Sequence, residues 1–209
     1  MISAQQRLAA VAVLALSPLL AVPAAATVVV DNLTESIRDT TVVTESFWAA
    51  QSFGTGTASG LLDPVTLVLG SLIGGPVISA TVHGPGGPAS AAIGTLTVPP
   101  LSTTQQLPES LMPAAPISLA AGTLYWLVLT AAGPGSYGFS YADSNTHSGV
   151  GSFGNYEYST DGGATWENFG SDFPYLAQVS VSAVPEPAAA LMAMLGLAAI
   201  VIRRRFGMR

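Results

Sequence analysis

From Thr27 to Ala183 no window of eleven or more residues keeps a 3.6-residue apolar period. Short runs rich in Val, Thr, Ile, Leu, Tyr and Trp alternate instead with clusters of Gly, Pro and Ser. A chain so patterned has no amphipathic stripe with which to build a helical core, so its apolar surface must be buried by strands. Strands are expected at Val28–Asn32, Phe47–Phe53, Val65–Leu69, Val77–His83, Ile93–Val98, Leu124–Ala131, Tyr137–Tyr141, Gly154–Ser159, Thr165–Asn168 and Leu176–Ala183. The breaks carry turn chemistry: GPGGP at Gly84–Pro88 and GPGS at Gly133–Ser136 join glycine's access to positive φ with proline's fixed φ. Many short strands at near-regular spacing predict an all-β single domain, a β-sandwich or jelly roll. The exception is Pro99 to Pro116, which holds five prolines. Proline has no N–H for a ladder, so this stretch reads as a long crossover loop or an edge segment.

Two apolar ends enclose that domain. At the start, Arg7 supplies a basic residue, Leu8 to Val22 an apolar run, and Ala24 and Ala26 the small residues of a cleavage site. This is the pattern of a secretory signal peptide, a helix removed by signal peptidase after Ala26, or alternatively after Ala24. Residues 1–26 are thus a leader, 27–183 an extracytoplasmic domain, and 184–209 a separate tail. The tail runs Val184-Pro185-Glu186-Pro187, then an apolar stretch over 188–202, then a basic end over 203–209 that includes Arg203, Arg204 and Arg205. A helix over 188–202 would span about 23 Å against a hydrocarbon core of about 30 Å, a brief transmembrane stop. The arginines belong on the cytoplasmic side, and the leader puts the domain on the other.

Charge excludes whole classes of function. The chain has no lysine, and Arg38 is the single basic residue between Thr27 and Ala183, while all twelve acids lie between Asp31 and Glu186. Nucleic-acid binding, which needs Lys and Arg to displace phosphate counterions, is not expected. Charged residues make up 9% of the chain, so the domain surface must be mostly neutral Ser, Thr, Gly, Asn and Gln. With no cysteine there is no disulfide, thiolate metal site or cysteine nucleophile.

The tripartite tail resembles the PEP-CTERM sorting signal of Gram-negative bacteria, on Val184-Pro185-Glu186-Pro187, the short apolar helix and Arg203-Arg204-Arg205. The resemblance implies recognition by exosortase, removal of the tail near the motif, and transfer from the inner membrane to the outer surface or extracellular matrix. The domain resembles the choice-of-anchor R family, on WAAQSFGTG (Trp48–Gly56), LLDPVTLVLG (Leu61–Gly70), AIGTLT (Ala92–Thr97), LAAGTLYWLVLTA (Leu119–Ala131), YGFSY (Tyr137–Tyr141), YEYSTDGGATW (Tyr156–Trp166) and PYLAQVSV (Pro174–Val181). It departs from that family in the proline-rich insert and at His83-Gly84. The family implies an extracytoplasmic β-sandwich on an interchangeable anchor, with no established biochemical activity.

The sharpest local motif is STDGGATW, Ser159 to Trp166, which fits the Asp-box pattern at Ser159, Asp161, Gly163, Thr165 and Trp166. Asp161 can accept backbone N–H groups across a turn, the glycines permit positive φ, and Trp166 can pack beneath the hairpin. The reading is a structural turn, with glycan or Ca²⁺ holding as the alternative. Around it cluster aromatic residues, among which Tyr141 and Tyr158, with Asp143 and Asn145, are candidate glycan contacts; the bland alternative is that these rings form core. Glu157 and Glu167 flank the turn and could face each other as a glycosidase pair. His83 and His147 stand alone, too few for a zinc site, and His147 is expected to be solvated. No catalytic residue, metal or cofactor is expected. The reading is a non-enzymatic, exosortase-sorted surface or matrix protein with a structural or adhesive role beside exopolysaccharide. A carbohydrate-binding module is the runner-up, and a glycan-acting hydrolase the third reading.

Overall fold

The computed structural model describes residues 25–183. The expected signal helix, Ala24, the Val184–Pro187 motif, the C-terminal helix and Arg203–Arg205 lie outside the described residues. Residues Ala25–Val184 cluster as one compact unit. Within the described residues the chain is all-β, with no helix, as the missing helical period predicts.

In chain order the strands are β1 (Ala26–Asp31), β2 (Ile37–Val43), β3 (Trp48–Gly54), β4 (Gly60–Leu62), β5 (Val65–Gly74), β6 (Val77–His83) and β7 (Ala92–Thr97), followed by β8 (Leu107–Pro113), β9 (Ser118–Leu119), β10 (Leu124–Ala132), β11 (Gly135–Ala142), β12 (Ser152–Ser159), β13 (Glu167–Asn168) and β14 (Ala177–Ser182). All their pairings are antiparallel. One sheet runs β13-β12-β3-β10-β6-β7. The other is built of rows broken in two. The β4–β5 row carries β9 and β8 on one edge, and β14 and β11 end to end on the other. Outside these, β1 pairs β14 and β2 pairs β11.

Period-2 alternation sends side chains from both sheets into one core. From β10 come Tyr125, Leu127, Leu129 and Ala131, and from β5 come Val65, Leu67 and Leu69. The alternate residues Trp126 and Val128 join Ala50 in a second cluster on the opposite face of β10. Val29 and Val30 are neighbours yet both fully buried. A bulge in β1 between Val28 and Val30 permits it by slipping the register against β14.

The proline-rich stretch corrects the expectation of a loop. Leu107–Pro113 is strand β8, and it switches sheets. Leu107–Leu111 pair with Val65–Leu69 of β5, while Met112 and Pro113 pair with Thr97 and Leu96 of β7. Each residue is paired on one side only, so the edge-strand alternative survives and Pro108 and Pro113 never have to donate into a sheet interior. β2, β4 and β9 were not expected, and the strand expected over Thr165–Asn168 shortens to Glu167–Asn168. β1 begins at Ala26, which pairs with Ser182. Cleavage after Ala26 therefore takes the first residue of a strand, whereas cleavage after Ala24 leaves β1 whole.

Candidate functional site

The Ser159–Trp166 turn closes on a network of its own side chains. Buried Ser159 donates from Oγ to Asp161 Oδ1 (2.7 Å) and accepts from the Gly163 N–H (2.8 Å). Asp161 Oδ1 also accepts the Thr165 N–H (2.9 Å), and Oδ2 accepts the Thr165 hydroxyl (2.7 Å). Gly163 sits at φ +89 with its Cα pressed on the Trp48 ring, where an added Cβ would lie 2.3 Å from a ring carbon. No other residue fits both the angle and the space. The Thr165 and Ser159 hydrogen bonds hold the Asp161 carboxyl down at about 2.

The depressed Asp161 value sets a pH signature. A carboxyl at about 2 when folded and about 3.9 when unfolded stabilises the fold fully above about pH 4, and that stability is lost as pH falls towards 2. Asp161 is exposed, so solvent screening keeps the effect modest. Asp161→Asn is expected to lower the melting temperature at pH 6 by about 2–4 °C, and the gap from wild type should close on acidification to about pH 2. A gap independent of pH in thermal melts would show that charge is not what holds the turn.

Register corrects the expected Glu157–Glu167 pair. Glu157 lies opposite Asn168, and Glu167 opposite Tyr158. Neighbours on a strand point to opposite faces, so the two carboxylates are separated by the sheet. Glu167 instead accepts the Tyr158 hydroxyl at 2.8 Å, which raises the Tyr158 phenol. Desolvation alone raises Glu157.

The four candidate glycan contacts are committed to other partners or scattered. Tyr158 stacks on Phe47 at 5.4 Å, and Tyr141 meets the Tyr175 ring edge-on at 6.3 Å. Asp143 pairs with Arg38 at 3.1 Å, and the same guanidinium covers the Phe173 ring at 3.9 Å. Asn145 keeps a buried Oδ1 with no partner. The rings divide between core and surface: Tyr137, Phe139, Phe153 and Tyr175 are buried, Tyr156 and Tyr158 half-buried, and Phe169 exposed. His147 is half-buried rather than solvated, edge-on to Phe153 with Nδ1 at 3.0 Å from the Asn145 carbonyl.

What the sequence reading missed is a groove of about 290 Å³ on the outer face of the β3-β10-β6 sheet. Trp48 and Trp166 stand on one side, 6.5 Å apart and tilted by 55°. Pro88 to Ser90, from the loop after β6, stand on the other. The floor is Ser79, Thr81, Val128 and Thr130, brought together by a register that sets Thr81 opposite Val128 and Ser79 opposite Thr130. Trp166 packs against the Ala50, Trp126 and Val128 cluster on this face. A Ser-x-Thr-x-His alternation over Ser79–His83 was the available signal: a strand face that is polar without being charged.

The chain's C-terminal segment matches the model of the PEP-CTERM protein-sorting motif over residues 183–205, starting directly after β14 ends at Ser182. The match takes in Val184–Pro187 and Arg203–Arg205. The motif marks an exported protein whose membrane-anchored precursor is recognised and processed by exosortase. No curated protein matches the chain.

Proposed function

We propose that this chain is a surface or extracellular-matrix protein whose β-domain is the cargo and whose tail is the address, with a structural or adhesive role beside exopolysaccharide. The observation that carries the reading is the placement of the sorting match at residues 183–205, with no linker between it and the last strand. A domain delivered in this way works where it is left, outside the cell. Its neutral, acid-leaning surface suits a hydrated matrix, and the extended strand stretches resemble the choice-of-anchor R family. The role is non-enzymatic: the carboxylate pair that favoured a glycan-acting hydrolase is split across two faces of a sheet. Carbohydrate binding is the second reading, favoured by the tryptophan groove rather than by the half-committed tyrosines.

Processing tests this. Intact-mass analysis of protein from an exosortase-positive host should show loss of the residues up to Ala26 or Ala24 and of those beyond Pro187. The same chain in an exosortase-deleted host should keep its tail and stay in the inner-membrane fraction. Arg203–Arg205 retained in surface material would count against the reading.

A further inference from the structure

We propose that the groove between the Ser159–Trp166 turn and the loop after β6 is a binding subsite for a neutral sugar residue of a polysaccharide chain. The inference deepens the adhesive reading above and rests on it.

The chemistry of the lining selects the ligand. No Asp, Glu, Lys or Arg lines the groove, although acids far outnumber basic residues in the domain around it. An anionic ligand would meet repulsion with no cation to offset it, and a cationic one would find no carboxylate. What the groove offers is two indole rings and a row of hydroxyls. Indole faces pack well against the C–H face of a pyranose ring, and hydroxyls answer the ring's equatorial oxygens. The volume, about 290 Å³, sits at the small end of the range for ligand sites.

One hydroxyl is set in advance. The Ser90 carbonyl can only accept, so His83 Nδ1, 2.7 Å away, carries a proton and donates. In the neutral ring Nε2 then bears a lone pair and accepts the Thr81 hydroxyl at 2.8 Å. Thr81 Oγ1 is left with its lone pairs free to receive a sugar O–H. His83 is buried, so this relay is held rigid and costs the site little reordering on binding. Beside the groove the Trp166 indole N–H is buried with no partner, a donor still unmatched. The Ser79 and Thr130 hydroxyls lie across from each other on the same floor.

The test uses processed protein recovered from an exporting host. Neutral gluco-, manno-, galacto- and xylo-hexasaccharides and an anionic alginate hexasaccharide serve as probes, followed by tryptophan fluorescence and calorimetry. At least one neutral probe should bind and shift the emission, and alginate should not. Thr81→Val, a near-isosteric change on a half-buried site, should weaken that binding by roughly fivefold to tenfold in protein still folded at the assay temperature, with some loss of melting temperature because His83 Nε2 loses its donor. Trp166→Phe should weaken it too, while Tyr158→Phe, in the separate aromatic cluster, should leave it intact. Three results would overturn the assignment: no neutral probe binding below about 10 mM, Thr81→Val binding as wild type, or Tyr158→Phe abolishing the binding. Absent sugar binding in normally processed protein sinks the groove and spares the sorting reading. Sugar binding by protein that keeps its tail does the reverse.

Discussion

Tyr175→Ala is expected to remove about 3–5 kcal/mol of stability, the range for truncating a buried aromatic ring. Tyr175 is 1% exposed and stacks on Phe139 with centroids 3.8 Å apart. It lies beside the break between β11 and β14, bridged to Tyr141, where one row of the sheet passes from one strand to the next. Its hydroxyl donates to Thr41 on β2 at 3.0 Å, and its backbone N–H donates to the buried Gln51 on β3 at 3.1 Å. One residue therefore joins three elements, its ring reaching β11 and β2 and its backbone β3, and a void in place of the ring opens the seam between the sheets. Tyr175→Phe isolates the hydroxyl, whose loss should cost about 1 kcal/mol. Chemical denaturation of the two variants gives the comparison. A loss below about 1 kcal/mol for the alanine variant would mean the surrounding rings close over the void.

Replacing Arg203, Arg204 and Arg205 together with Gln should abolish sorting while leaving the melting of the β-domain unchanged. The apolar stretch over 188–202 is short for a span, so its own hold on the bilayer is marginal. Each arginine near an anionic cytoplasmic leaflet is worth about 1 kcal/mol, and cationic ends resist translocation. Without them the precursor should slip through and never pause beside the exosortase. Pulse-chase with immunoblotting separates cleaved, membrane-bound and released forms. Wild-type cleavage in the triple variant would show that Pro185-Glu186-Pro187 and the apolar run suffice.

Which of these features could be seen in the sequence follows from how local each one is. β14 was visible because its buried side recurs every second residue, and β3 and β10 because runs buried on both faces are bounded by turn residues. The Ser159–Trp166 turn was visible because its bonds all close within a few residues. β2 was hidden because most of IRDTTVV is exposed, so burial imprints no alternation on it. β8 was hidden because edge positions tolerate proline. Gln51 was hidden altogether. It is fully buried, its amide donates to the carbonyls of Ser52, Gly154 and Asn155, and its oxygen receives Tyr175 from the other sheet. A glutamine in a strand looks the same whether it staples a core or faces water. The groove was hidden for a related reason. Trp48, His83 and Trp166 are remote in the chain and meet only through the order β12-β3-β10-β6.

The way β14 is seated governs how the domain answers force. Its C-terminal end, where the chain departs, is bonded on one edge to β1 and on the other to β4, while β5 pairs with its N-terminal end. Asp63 reinforces that end by accepting hydroxyls from Ser180 (3.2 Å) and Ser182 (2.6 Å). Tension applied through this terminus runs along the strand axis. It loads the hydrogen bonds of two flanking ladders at once, in shear, instead of peeling them off singly from a free edge. A load borne at this point would leave the domain's shape intact until a whole bank of bonds gave way together, so the strand that leads into the sorting motif is also the part of the fold best placed to resist being drawn out.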